Sequence, residues 1–598
     1  MDLIKFRKRK AAKEDASAKE SKFVKRSGKP VFYQNPWQHD EYHDLMANLR
    51  SIDGLLERCV LDSAFRIPTA GLPFTVVNRI KRVMTTKPKL KFNPINGRME
   101  NKPWPMYNNE ELGTITIPRR IGVDLFGMPP PQVHVSTTKP IEPITVLTGL
   151  AIAAQDIHLE YIYMAVAVAR MHKDTVLTAF PIPDMQVPLL NKEKAAEMFK
   201  VDQETAVACT INSLDNMRAE YGFAACIYSI PTGCGKTCCA WAIVAHYKMR
   251  TLFVLPNIKL MPQFMADARK FLGDNVVIEK MHTSAKAKRK AEKNLCVHIV
   301  LTTFASAATI PYDMSGFGMV VVDEAHETMT PQNFQMYLKF KASIVLTLSA
   351  TPERGDGCGC YLEWAGGDLS YYEEVDVAES QWGGIDVRTV PIKYPTKTPI
   401  KEHYKTLPNG KRMVDMEGLT QQIMHRRDRN EVICGIIARK VREEKRHILI
   451  VCTRIAHLET MHAMLVRAGI DVGIMIGAHS DGTPPTKEED QHAFKCRVLL
   501  AQIRMAHRAL DIPRLNCVGF LSGGAWNDLT FWTQLVGRVF RSVKGKQRPE
   551  ILLFSDSTAD GKLQNQISKA RQTIQKLSSV EGAIQEYTDP PILAEFKH

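Results

Sequence analysis

One eight-residue string narrows the folds open to this chain more than any other: Ile230-Pro231-Thr232-Gly233-Cys234-Gly235-Lys236-Thr237. It follows an apolar run of strand length, Phe223 to Tyr228. It opens a segment, Thr237 to Tyr247, that is apolar at helical spacing and free of Pro and Gly. A strand–loop–helix of this kind lets backbone N–H groups crowd around a phosphate. Glycine permits the close approach, and the helix N-terminus favours negative charge. The lysine reaches the outer phosphates and the threonine hydroxyl holds a magnesium ion. The string departs from the general pattern at Ile230, where Gly or Ala is usual; the later glycines do the cradling.

A second string, Asp323-Glu324-Ala325-His326, closes the apolar run Gly318 to Val322. The carboxyl end of a strand is where ligands bind in open α/β sheets. One carboxylate can orient a metal while its neighbour polarises an attacking water. Together the two strings imply a chain that binds and hydrolyses a nucleoside triphosphate with Mg²⁺. Pro231, Thr232, Gly233, Cys234, Gly235 and Lys236 are expected around the phosphates, Thr237 and Asp323 on the metal, and Glu324 on the water.

The net charge of +15 over 598 residues favours a polyanionic partner, most simply nucleic acid. Thirteen cysteines show no repeated Cys-x-x-Cys frame, which suggests reduced thiols in an intracellular compartment. Cys358-Gly359-Cys360 is half a metal site with no second pair nearby. The most apolar long stretch, Ile144 to Met171, carries Asp156, His158 and Glu160, so no membrane span is expected.

Along the chain, residues 1–30 hold eleven Lys/Arg against four Asp/Glu and read as a basic, disordered arm. Residues 31–184 form a Pro-rich α+β accessory domain. From 185 to 389, strands expected at 223–228, 251–255, 297–302, 318–322 and 344–348 alternate with helices, which implies a parallel sheet. A Pro/Lys/Gly-rich linker is expected at 390–412. A second alternating series fills 413–558, with strands near 447–452, 472–476, 497–500, 516–521 and 550–554. Residues 559–598 are expected to form a helical tail. A second sheet without a phosphate loop suggests a lid that brings positive charge to the γ-phosphate. Arg538 and Arg541, in Gln534-Leu535-Val536-Gly537-Arg538-Val539-Phe540-Arg541, stand three apart and share a helix face.

In order, the strings Gly233 to Thr237, Asp323 to His326, Ser349-Ala350-Thr351-Pro352, Ala509-Leu510-Asp511-Ile512-Pro513 and Gln534 to Arg541 resemble the motif ladder of superfamily 2 helicases and translocases. Ser349 through Gly357 is similar to the extended motif of the branch holding the TFIIH repair helicase, phage recombination helicases and the poxvirus-type transcript-release helicase. Pro256 through Phe264 resembles that branch's motif Ia, with Phe264 in place of Trp, and Ala509 stands where Gly is usual. Ile117-Pro118-Arg119-Arg120-Ile121-Gly122 is similar to a string of large-DNA-virus members.

The resemblance implies a fold of two tandem RecA-like P-loop domains with parallel sheets. It implies that the nucleotide is ATP, that Gln203 reads the adenine edge, that Arg538 and Arg541 act as arginine fingers, and that Gln534 orients the water. Thr302, Thr303 and Arg454 would grip a nucleic-acid backbone, and Ser349 and Thr351 would couple it to ATP. The expected partner is nucleic acid, DNA ahead of RNA, with transcription or replication machinery and a viral origin also in view. Rival readings are a translocase that displaces proteins or transcripts without unwinding, a scaffold built on a dead motor, and the motor subunit of a restriction nuclease.

Overall fold

The structure is a computed structural model. It describes residues 40–86, 91–93, 98–100, 103–110, 113–137, 189, 202–230, 234–274, 276–281, 297–310, 314, 316–350, 358–372, 385–393, 400, 404–406, 412–506, 512, 514–522, 532, 535, 546–556, 561–575, 584–588 and 592–593. The arm at 1–30, the Ile144–Met171 stretch and most of the expected linker lie outside these residues.

The first described unit is α+β. Helices α1 (Asp40–Arg50), α2 (Phe74–Val83) and α3 (Arg119–Phe126) pack with strands β1 (Val60–Leu61), β2 (Phe65–Pro68), β3 (Asn108–Glu110), β4 (Thr114–Ile117) and β5 (Gln132–Val133). The strand order is β3-β4-β2-β1-β5. The Ile117-to-Gly122 string turns β4 into α3, and Gly122 is demanded by packing: a Cβ there would lie 2.2 Å from Phe65 Cγ.

The second unit opens with α4 (Gln203–Tyr221), capped by Asp202, whose carboxylate accepts from the Thr205 amide at 3.1 Å. Then come β6 (Ala224–Ser229), α5 (Lys236–Tyr247), β7 (Thr251–Leu255), α6 (Met261–Leu272), β8 (Ile278–Lys280), β9 (Ile299–Thr303), α7 (Phe304–Ala308), β10 (Met319–Val322), β11 (Ile344–Leu348), α8 (Cys360–Gly366) and β12 (Asp368–Tyr372). Every pairing among these strands is parallel, in the order β8-β9-β7-β10-β11-β6-β12. Strands β6, β7, β10 and β11 are buried along their whole length, as strands covered on both faces should be. The five strands expected in this sheet are present, and β8 and β12 add its edges.

One apolar core runs without a break from Tyr42 to Trp364, so the first unit and this sheet fold around shared interior. Their join lies at the amino ends of β11 and β12. The Arg119 guanidinium donates to the Ala342 carbonyl (2.7 Å) and lies 4.9 Å over the Phe223 ring; burial lowers its pKa to about 10. Arg120 bonds Asp124 and, with Nε and Nη2, both carboxylate oxygens of Asp368 at 3.2 and 3.0 Å. Ser136 bridges to the same edge, its carbonyl accepting from the Ser343 amide at 2.7 Å.

The third unit comprises β13 (Ile385–Lys393), α9 (Met416–His425), α10 (Arg427–Arg442), β14 (Ile448–Cys452), α11 (Ile455–Arg467), β15 (Val472–Met475), α12 (Lys487–Ala493), β16 (Val498–Gln502), β17 (Cys517–Ser522), β18 (Glu550–Asp556), α13 (Gly561–Gln575), β19 (Ile584–Thr588) and β20 (Ile592–Leu593). Its strands are parallel in the order β15-β16-β14-β17-β18-β13-β19, with β20 also on β13. Along β14, Ile448, Ile450 and Cys452 face one core while Leu449 and Val451 face the other, the alternation of a sheet covered on both sides.

Two boundaries differ from expectation. The linker expected from 390 begins inside β13, where Val390 and Ile392 are fully buried. Pro391 disguises the strand, since proline lacks the ladder N–H. It is accommodated because it falls between the stretches paired with β19 (385–389) and with β20 (392–393). The tail is helical only through α13. Ile584–Thr588 and Ile592–Leu593 then return as strands on the edge of β13; runs of five and two residues are too short to carry a periodic signal.

Candidate active site

Three neighbouring parallel strands end side by side and carry the chemistry. β6 leads to the glycine loop, β10 to Asp323, and β11, between them, to Ser349. The Ser349 amide donates to the Tyr228 carbonyl (3.2 Å) and the Asp323 amide to the Val254 carbonyl (3.0 Å), so both residues prolong the ladder. Past Asp323 the ladder breaks: Glu324 takes φ 46°, ψ 46°, a left-handed conformation that costs a non-glycine residue about 1 kcal/mol. The turn swings its carboxylate back toward the loop.

Lys236 opens α5 and aims into this space. Its Nζ lies 3.3 Å from Glu324 Oε1 and 3.6 Å from Asp323 Oδ1. Asp323 is buried, and its carboxyl pKa is raised to about 6. Desolvation is the largest cause, Lys236 opposes it, and the Glu324 carboxylate adds to it. The buried Asp323 Oδ1 accepts no hydrogen bond. A carboxylate held at that cost, beside a second one, is the donor set a divalent cation relieves. The residues therefore fit a magnesium ion held by Asp323 and by Thr237 in the first turn of α5.

Behind the carboxylates, His326 Nδ1 hydrogen-bonds the Ser349 hydroxyl at 3.0 Å and lies 3.6 Å from Glu324 Oε2. All three side chains are largely buried. His326 was not singled out by residue-type reasoning, although it closes the four-letter string and is the group that joins it to Ser349.

Gln203, expected to read adenine, uses its Nε2 to hold the Cys234 carbonyl at 2.7 Å and is buried. It braces the loop from behind. Gly235 sits against it with φ 85°; a Cβ there would lie 2.3 Å from Gln203 Nε2. The second glycine is thus required twice, by conformation and by space.

Of the expected backbone-gripping residues, Thr302 is fully buried within β9, so its side chain meets the core instead of a strand of nucleic acid. Thr303, half-buried, caps α7 by accepting from the Ser306 amide at 3.3 Å. Arg454 is exposed where β14 passes into α11, beside a hollow lined by Gln421, Met424, Ile455 and Ala456. A contact missed in the sequence joins the two sheets' units: Asn257 Nδ2 lies 3.8 Å from Met505 Sδ. Pro231, Thr232, Gly233, Thr351, Gln534, Arg538 and Arg541 lie outside the described residues. Among the described residues, no group of three or more His, Cys, Asp and Glu is placed to hold a metal by itself, and no helix is long and apolar enough to cross a membrane.

The family described as Type III restriction enzyme, res subunit matches residues 198–354, the segment holding the glycine loop, the Asp-Glu-Ala-His string and Ser349. A protein of Acanthamoeba polyphaga mimivirus, named as an ATP-dependent RNA helicase, is 25% identical over 59% of this chain and 66% of its own length. A protein of the same description from African swine fever virus (isolate Pig/Kenya/KEN-50/1950) is 27% identical over 33% of this chain and 38% of its own. The chain thus spans less than two thirds of the length of these relatives. Dbp5 of S. cerevisiae, solved with RNA and ADP BeF3, superposes with a TM-score of 0.42 at 12% identity, covering 66% of this chain and 95% of that one.

Proposed function

We propose that this chain, whose first sheet bears the motifs that resemble superfamily 2 helicases, is an ATP-driven motor that moves along nucleic acid and separates or displaces strands. The observation that carries this reading is that Lys236, following β6, lies 3.3–3.6 Å from Asp323 and Glu324, following β10, with His326 tied to Ser349 at the end of β11 between them. Without nucleotide, Lys236 neutralises the two carboxylates. When the phosphates arrive, Lys236 would turn to them, and Thr237 and Asp323 would hold a magnesium ion. That ion would supply charge neutralisation on the phosphate oxygens. Glu324, freed from the lysine, accepts the proton of the attacking water. Arg538 and Arg541 would enter from the second sheet's unit, with Gln534 on the water. His326 and Ser349 transmit the change at Glu324 to β11, and so to the surface where Thr303 and Arg454 meet a backbone.

The substrate favoured is DNA, from the branch that the Ser349-to-Gly357 string resembles. RNA is the second reading, favoured by the names of the viral relatives. Phosphate release measured in parallel with single-stranded DNA, duplex DNA and RNA decides between them, and strand displacement beside triplex displacement separates unwinding from translocation. Lys236→Ala should lower turnover at least about a hundredfold while nucleic-acid binding persists. Undiminished hydrolysis in that variant would end the assignment.

A further inference from the structure

The amino ends of the two sheets face away from the ATP residues, and they are dressed differently. In the first sheet this end receives Arg119, Arg120 and Ser136 of the α+β unit. In the second it carries a row of cations. Arg439 and Arg442 stand in the last turn of α10, Lys445 follows it, and Lys495 and Arg497 lead into β16; all five are exposed. They form one patch. Arg497 Nη1 reaches toward the Lys445 carbonyl at 3.5 Å, and the Ile448 amide donates to the Arg497 carbonyl at 2.9 Å. Arg514 ties the same corner together through the Phe494 and Cys496 carbonyls.

The exposed acids beside the patch are Glu443 and Asp471. Asp471 is already engaged, 3.3 Å from His492 Nε2 and accepting from the Arg497 amide at 3.2 Å. Glu444 is turned to Lys440. Five exposed cations against these two acids and the partly exposed Glu444 leave a positive surface. Phe494, 37% exposed, lies within it. Cations that track a backbone, with an aromatic face on which a base can stack, are what single-strand binding surfaces combine.

We propose that the amino-end face of the second sheet is a second nucleic-acid contact surface, taking the phosphate backbone of nucleic acid that runs on beyond the motor face. The proposal rests on the motor reading, which already brings a polyphosphate to the molecule. β14 and β16 are five residues long, so this face lies about 15 Å or more below the carboxyl ends. A short oligonucleotide on the motor face would not reach it; a long one would.

The test uses the full chain and the triple variant Lys445→Gln, Lys495→Gln, Arg497→Gln, whose side chains are exposed and lie outside the ATP site. Binding is measured by anisotropy across a salt series with single strands of about 10 and about 40 nucleotides. Each lost phosphate contact removes about 0.7 from the slope of log K against log salt, so the long strand should lose about 2. The short strand and unstimulated ATP turnover should not change. An unchanged slope with the long strand overturns the proposal, and so does equal weakening at both lengths, which would mark a general field instead of a site. Loss of polyglutamate binding with the nucleic-acid slope intact overturns it in favour of an acidic protein. Failure of the wild type to bind either length would instead overturn the motor reading, and this one with it.

Discussion

Replacing Arg120 with Met tests whether the α+β unit is welded to the ATP-binding sheet. Arg120 and Asp124 are each about 5% exposed at the side chain, and the guanidinium also grips Asp368, which is 35% exposed. Removing the cation strands a buried carboxylate, which costs about 3–5 kcal/mol. The more exposed Asp368 pair adds up to about 1 kcal/mol, and the Tyr221 ring, 5.8 Å below the guanidinium, a similar amount. The expected loss is therefore about 4–6 kcal/mol. The Asp124 part lies within α3, while the Asp368 part crosses from α3 to β12 and should loosen that edge locally. Trp104, buried 5.4 Å from Phe334 across the join, provides a fluorescence signal for denaturant unfolding. Amide exchange at Ser343, which donates to Ser136, gives a second readout. Adding Asp124→Asn to the variant should return most of the loss, since the stranded charge is its main source. A loss below about 1 kcal/mol, or unchanged amide exchange at Ser343, would refute the weld.

Asp323 makes the nucleotide-free protein pH-sensitive. Its folded pKa is raised to about 6, above the ordinary carboxyl value, so its contribution to stability is present below about pH 4 and fades as pH rises through 6. Asp323→Asn should flatten that dependence and raise the melting temperature at pH 7 by about 2 °C or more, read by calorimetry. Gly235→Ala adds a strained φ and a contact with Gln203, and should weaken binding of a fluorescent ATP analogue by about tenfold or more. Combining it with Gln203→Ala should recover only part of that, because the φ penalty remains. Ser349→Ala removes the hydrogen bond to His326, about 1–2 kcal/mol in a buried setting. Unstimulated turnover should stay within a few-fold while strand displacement falls further; parallel loss of both would count against a coupling role.

The catalytic strings were legible because each sits at a change of period: an apolar strand run, a short polar break, then helical spacing. That pattern located β6, β7, β10 and β11 and put Lys236 and Asp323 at the right strand ends. Reading failed where tertiary contact overrides local signal. Gln203, which the resemblance assigns to the adenine edge, bonds the Cys234 carbonyl across the loop, a contact that no local signal announces. Thr302 sits one residue before Thr303 on the same strand, and alternation alone turns one inward and the other out. Pro391 hid a core strand because only the gap between two edge partners excuses it. Arg119 and Arg120 were noticed as a string, but two adjacent arginines predict a solvated surface unless the acceptors, Ala342 and Asp368, are known.

Those two arginines also constrain what the α+β unit can do. Ile344 and Ser349 bracket β11, so the join at Ala342 is separated from the ATP-side carboxylates by about 17–20 Å of hydrogen-bonded strand. Nothing bonded there can touch a nucleotide at Lys236. It can act on the site only by shifting the register or tilt of β11 and β12 against β6. The shared core from Tyr42 to Trp364 resists such a shift, because close-packed interiors transmit strain and do not flow. The unit and the first sheet therefore share one packed interior, and on the proposed motor reading any motion with turnover would fall to the second sheet's unit. On the proposed motor reading, a partner that binds the α+β unit would fix the first sheet in place and would make the second sheet's unit, with its basic amino-end face, the part that moves.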